Sequence, residues 1–279
     1  EVIYYYKLIE EIVTSDIQKE AKASRTDIRE TVEEGIITTE NVEVLTEEGG
    51  EVTYSIKYQI EIKDYIGNAS ITIEDTLPDK INEEKSNLDG GTYNQTENTI
   101  AWEEELTNIN TYTNGKYVTT ITKNIKLIYN VEDVTTPLEN VVKGTVITYY
   151  PDNYPDKEGE EKSKYETENE AIVEQDYRID KVVEKVWEDN ENSRGKRPEG
   201  IRIQLTANNQ TDINGEELES VILSESNNWK YIFRNLHKYD ELGLEIKYSV
   251  QEEEINVDDL KCYELPIVTK TEDKIIVEN

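Results

Sequence analysis

Between residues 52 and 63 the side chains alternate without a break. Val52, Tyr54, Ile56, Tyr58, Ile60 and Ile62 are apolar or aromatic, while Thr53, Ser55, Lys57, Gln59, Glu61 and Lys63 are polar. Strand side chains point to opposite faces in turn, so a period of two sends one set into a core and leaves the other in water. The stretch therefore demands an antiparallel sheet with one covered face. Shorter runs at 69–74, 99–103, 118–129, 140–149 and 166–173 carry the same signal, with turn signals at Gly67-Asn68, Asp89-Gly90-Gly91 and Asn114-Gly115. Many short strands and almost no helical periodicity predict an all-β fold made of sandwiches. The one helix expected is 25–34, a polar-rich piece after Ser24. Residues 150–164 contain Pro151, Pro155 and a run of charges, and read as a long loop. The domain boundary is expected at Asp176-Tyr177, giving domains 1–176 and 177–279.

The same alternation exposes polar groups where a core should be. Lys185 shares its phase with Val183 and Trp187, Glu252 with Tyr248 and Val250, and Asn279 with Ile275 and Val277. A buried amine, carboxyl and carboxamide are costly unless they satisfy or react with one another. The first domain repeats the pattern. Lys19 shares the phase of Ile17 and Ala21, Asp75 that of Ile71, Ile73 and Leu77, and Asn140 that of Leu138 and Val142. Lys22 competes with Lys19, and Asn169 with Asn140, while Lys57 and Lys63 fall on the polar phase. Each residue also has a plainer use. Lys185 can snorkel from a strand end, Glu252 opens an acidic run, Asn279 ends the chain, and Asp75 can cap the turn before Pro78.

The chain has 279 residues, with 62 Asp and Glu against 30 Lys and Arg, a net charge of −32. Such a balance excludes nucleic acid as the expected partner, because phosphate binding needs basic stripes. Nineteen tyrosines and abundant Ile and Val in alternating order argue against disorder. Cys262 and a single His cannot build a four-ligand zinc site, and Cys262 has no second Cys for an internal disulfide. The run 189–192 has oxygen ligands but no complete calcium-loop pattern, so it reads as a surface turn; no metal and no cofactor are expected. No apolar run reaches the length of a membrane span, and no signal segment is present, so no membrane contact is expected of this fragment. The opening Glu-Val-Ile and the lack of Met are expected of a piece from a longer polypeptide.

Residues 178–279 resemble the B-type repeat domain of collagen-adhesin-like surface proteins of Gram-positive bacteria. The segments carrying the likeness run in order: Lys185-Val-Trp187-Glu-Asp189, Gly195-Lys-Arg197-Pro198, Ile201-Arg-Ile203-Gln-Leu205, Asn228-Trp229-Lys-Tyr231-Ile-Phe233, Leu236-His-Lys-Tyr239-Asp240 and Tyr248-Ser-Val250-Gln-Glu252. The resemblance implies a small transthyretin-like or inverse immunoglobulin sandwich. It also implies an intramolecular isopeptide bond between Lys185 and Asn279, assisted by Glu252. Burial would lower the lysine pKa and raise that of the glutamate, so that a neutral amine attacks the carboxamide.

The first domain is similar to A-type, immunoglobulin-like surface domains through Val52-Thr-Tyr54-Ser-Ile56, Ile73-Glu-Asp75-Thr-Leu77-Pro78 and Leu138-Glu-Asn140. That likeness implies a second bond, Lys19 to Asn140 with Asp75 assisting. Residues 1–12, opening Glu1-Val-Ile-Tyr-Tyr-Tyr-Lys7, resemble the closing strand of a preceding repeat.

The fold expected is thus two tandem immunoglobulin-like β-sandwich domains. The function expected is a self-crosslinked adhesin stalk on an extracellular, cell-wall-anchored surface, with its anchor outside this fragment and other domains of the same polypeptide as partners. It is not an enzyme that turns over. The alternative is a module binding a host extracellular matrix protein or glycan, for which Tyr149, Tyr150, Tyr154 and Tyr165 are the candidate aromatics.

Overall fold

The computed structural model describes residues 10–33, 36–151, 154, 156–213, 215–253, 263–271 and 273–279. The chain forms two compact units, Glu1–Asp176 and Tyr177–Asn279. Both are built almost wholly from strands, as the alternating runs predict.

In the first unit, β1 (Ile12–Lys22), β4 (Glu51–Lys63) and β8 (Tyr117–Ile128) form one sheet in the order β1-β4-β8. The second sheet runs β2-β3-β10-β9-β5-β7-β6, with β2 (Arg25–Glu33), β3 (Ile36–Leu45), β5 (Ile66–Thr76), β6 (Thr92–Asn94), β7 (Thr99–Asn110), β9 (Leu138–Tyr149) and β10 (Glu161–Gln175). Along β4 the alternation is realised residue by residue: Val52, Tyr54, Ile56, Tyr58, Ile60 and Ile62 are buried. Ile71, Ile73, Val142 and Val146 of the other sheet are buried as well, as the inner face of a sandwich requires. The layers touch closely at Gly144 of β9, where an added Cβ would lie 2.5 Å from the Tyr58 ring.

The second unit packs the sheet β16-β11-β19-β18 on the sheet β15-β12-β17. Its strands are β11 (Arg178–Val186), β12 (Gly200–Ala207), β15 (Ser220–Ser224), β16 (Lys230–His237), β17 (Tyr248–Glu253), β18 (Ile267–Lys270) and β19 (Lys274–Glu278), with a two-residue hairpin of β13 (Asp212–Ile213) and β14 (Glu216–Glu217). Val183, Ile203, Leu205, Leu223, Phe233, Tyr248, Val250, Ile275 and Val277 share one core. The first and last strands of this unit, β11 and β19, are parallel neighbours, with Lys185 opposite Val277.

Three local expectations fail. Residues 25–34 were expected to be helical, but Arg25–Glu33 is a strand paired antiparallel with β3. Ile28 and Val32, four apart, suit a helix face and a strand face equally, and the cross-strand pairing decides. The loop expected over 150–164 ends early, because β10 starts at Glu161 opposite Tyr149. Both prolines precede the strand, so no ladder bond is lost there. Gly67-Asn68 does not separate strands but forms a bulge within β5, where Gly67 takes φ +145. The opening segment 1–9 lies outside the described residues, as do Cys262 and Glu254.

Candidate functional site

In the second unit three strands deliver the flagged side chains to one point. Lys185 sits on β11, and its backbone N–H is fixed by the Trp229 carbonyl at 2.9 Å. Glu252 comes from β17 in the opposite sheet, opposite Ile203 of β12. Asn279 follows β19, its backbone N–H donating to Val186 at 3.2 Å. The Lys185 amine donates to Asn279 Oδ1 and to the Val277 carbonyl at 3.4 Å, and lies 3.6 Å from the Glu252 carboxylate. The side chains of Lys185 and Glu252 are 0% and 2% exposed. Asn279 Nδ2 donates to the Glu264 carbonyl at 2.7 Å, which fixes the carboxamide plane.

An aromatic wall closes this site. The Lys185 amine lies 4.3 Å from the centroid of the Trp187 ring, which packs edge-on against Trp229 and tilted against Tyr263. Burial pushes the lysine pKa from 10.5 down to about 8, against the opposing pull of Glu252. The lowered pKa leaves more of the amine neutral, and so nucleophilic, near pH 7.

The first unit brings its three residues together as well. Lys19 of β1 reaches across the sandwich to Asp75 of β5, and both side chains are 0% exposed. Asn140 of β9, fully buried, donates through Nδ2 to the other Asp75 oxygen at 3.2 Å. One carboxyl therefore bridges the amine and the carboxamide nitrogen. Burial lowers the Lys19 amine to about 8 despite Asp75, and raises the Asp75 carboxyl despite Lys19. Both changes favour the neutral pair.

The rivals fall elsewhere. Lys22 is 68% exposed and contacts Glu43 and Thr26. Asn169 uses Oδ1 to accept from the Lys19 backbone N–H at 3.0 Å, at the seam where β1 lies against β10. The run 189–192 is held by a bidentate Arg197–Asp189 pair and by the Tyr263 hydroxyl at 3.0 Å. Among the described residues no group of three or more His, Cys, Asp or Glu could hold a metal ion. Of the tyrosines near the loop, Tyr150 packs tilted against Tyr154 with ring centroids 4.8 Å apart, and the Tyr149 hydroxyl is hydrogen-bonded to Ser70 at 2.9 Å.

Two groups escaped the reading of the sequence. Tyr129 accepts from Asn140 Nδ2 at 3.4 Å and is hydrogen-bonded to Tyr54 at 3.1 Å; the Lys19 amine lies 4.9 Å from the Tyr54 ring centroid. Glu11, buried just before β1, takes the Thr148 hydroxyl at 2.8 Å and the Lys162 ammonium. Burial opposes its charge, but Lys162 and Thr148 hold its carboxyl below the usual range. Alternation could have flagged Tyr54, since it points inward with a hydroxyl at its tip.

Residues 182–279 match the family model of the Cna protein B-type domain. The match falls within the C-terminal unit, Tyr177–Asn279. A stretch of 72 residues is 43% identical to the collagen adhesin of Staphylococcus aureus, which is 26% of this chain and 6% of that protein's length. Among solved structures, a single B repeat unit of the collagen binding surface protein of Staphylococcus aureus shares 20% identity, covering 75% of this chain and 86% of that one, with a TM-score of 0.31. The major pilin subunit of Bacillus cereus shares 13% identity over 95% of this chain and 69% of that one, with a TM-score of 0.32. Superpositions this loose carry no weight for chemistry, so the residues of each site must speak for themselves.

Proposed function

We propose that each unit closes one intramolecular isopeptide bond, Lys185 to Asn279 and Lys19 to Asn140, and that the chain is part of a bacterial surface adhesin stalk. The observation that carries this reading is the buried meeting of the Lys185 amine with Asn279 Oδ1 beside Glu252. Neutral Lys185 attacks Asn279 Cγ, the Nζ–Cγ bond forms, the Cγ–Nδ2 bond breaks, and ammonia leaves. Glu252 takes the proton lost by the amine and hands it to the departing nitrogen. The Glu264 carbonyl holds that nitrogen while the bond changes. In the first unit Asp75 does the same work, one oxygen on the nucleophile and the other on the leaving group. Each site reacts once on itself, so nothing turns over. The product is a neutral amide, so no ionisable amine is left buried in the core.

The benefit is mechanical. In the second unit the terminal strands are parallel neighbours, so tension on the two chain ends shears their ladder. A covalent link between Lys185 and Asn279 carries the load past the 94-residue span between them. The test is single-molecule extension of the chain. The linked unit should lack the unfolding step of roughly 320 Å that a 94-residue span would release, and Lys185→Ala should restore it. A full-length step in the unmodified protein would defeat the proposal.

The collagen adhesin's name favours a second reading, capture of a host matrix protein. The stalk is preferred because three of the four tyrosines offered for binding, Tyr149, Tyr150 and Tyr154, are engaged in a ring contact or a hydrogen bond. The adhesin relative supports surface display as part of this reading.

A further inference from the structure

The first-unit site contains a hydroxyl pair that the crosslinking chemistry above leaves unused. Tyr54 and Tyr129 are fully buried and hydrogen-bonded to each other at 3.1 Å. A buried hydroxyl pair is retained where its polar ends are needed, because phenylalanine would fill the same space without desolvating an O–H. Asn140 Nδ2 donates to the Tyr129 oxygen at 3.4 Å and to Asp75 Oδ2 at 3.2 Å. That nitrogen must leave. As it gains a proton it becomes a stronger donor with more N–H bonds to place, in a pocket that excludes water. Asp75 gives up its proton at that moment and accepts one of those bonds; a second acceptor is required, and the Tyr129 oxygen is in place.

We propose that Tyr129, held in place by Tyr54, is a catalytic residue of the Lys19–Asn140 crosslink and accepts a hydrogen bond from the departing ammonia. This role rests on the crosslinking reading of the site. Burial raises the pKa of both tyrosines, so each remains a neutral phenol while the amine titrates. Tyr129 therefore orients and stabilises the leaving group and does not supply the proton; Asp75 moves the proton from Lys19 Nζ to Asn140 Nδ2. The bond formed is Nζ–Cγ, the bond broken is Cγ–Nδ2, and the atoms balance with ammonia as the only product released.

The experiment refolds full-length chains from denaturant in a Lys185→Ala background, which leaves only the first-unit reaction. Loss of one ammonia is then timed by intact mass. Tyr129→Phe deletes the hydroxyl and keeps the ring, and should slow the loss about tenfold, as expected for one hydrogen bond on the reacting atom. Tyr54→Phe should slow it less. Tyr58→Phe, on the same strand opposite Gly144, should react at the parent rate. The midpoint of the pH dependence, set by Lys19, should not move in Tyr129→Phe. Stability measured in Lys19→Ala chains, with and without Tyr129→Phe, corrects for the folded fraction. A Tyr129→Phe chain that reacts at the parent rate overturns the role while leaving the crosslink standing. Equal slowing by Tyr58→Phe also overturns it, as general loosening. No ammonia loss even with Tyr129 present overturns the crosslink itself and the role with it.

Discussion

Glu252→Gln changes one oxygen for a nitrogen at the second-unit site, keeping the shape while removing the proton acceptor. If Glu252 moves the proton, this variant folds with Lys185 and Asn279 side by side but unlinked. The lost link spans 94 residues. Closing a loop of that size restrains the unfolded chain by about 4.7 kcal/mol on the chain-entropy account. A unit of roughly 100 residues has an unfolding entropy near 2.1 cal/mol/K per residue, so each kcal/mol moves its transition by about 5 °C. The second-unit transition should therefore fall by about 20 °C, while the first-unit transition stays where it was. Calorimetry of the full chain reads the shift, and intact mass confirms that one ammonia is retained. Two results would refute the reasoning. A variant that still loses both ammonias shows that Glu252 does not move the proton. A variant that keeps one ammonia but shifts by less than about 5 °C shows that the link does not stabilise as loop closure requires.

In the first unit, Asp75→Ala should leave Lys19 and Asn140 unlinked and the mass heavier by one ammonia. Lys22→Ala should form the bond normally, since Lys22 is exposed and faces Glu43; tandem mass spectrometry of the digest reads both. Asn279→Ala leaves the Lys185 amine buried and unreacted. Its folded pKa of about 8 lies below its ordinary 10.5, so the unfolded state binds more protons between those values. The penalty is fully present below pH 8 and is relieved as pH rises, so denaturant midpoints for this variant should climb from pH 8 towards 10; a falling midpoint contradicts the assignment. Gly144→Ala should cost about 1–3 kcal/mol of first-unit stability in denaturant titrations, because the new methyl meets the Tyr58 ring.

The strands and both triads were legible because a period of two assigns each residue to a face. A charge on the apolar phase, such as Lys185 beside Val183, stands out without any structure. What alternation cannot show is which faces meet. Lys19 and Asp75 both read as inward, but only the crossing of β1 over β5 makes them partners. Asn169 looked like a rival acceptor in sequence, and the seam between β1 and β10 gives its carbonyl to a backbone N–H instead. Tyr54 and Tyr129 were missed because a pattern counts tyrosine as apolar and ignores its hydroxyl. The helix expected at 25–34 rested on a polar-rich piece after Ser24, a local signal that the pairing of Arg25–Glu33 with β3 overrides.

The most direct test of the account is the intact mass of the unmodified chain under denaturing conditions. Two isopeptide bonds predict a mass below that of the sequence by two molecules of ammonia, with crosslinked peptides joining Lys185 to Asn279 and Lys19 to Asn140. A mass equal to that of the sequence would contradict it.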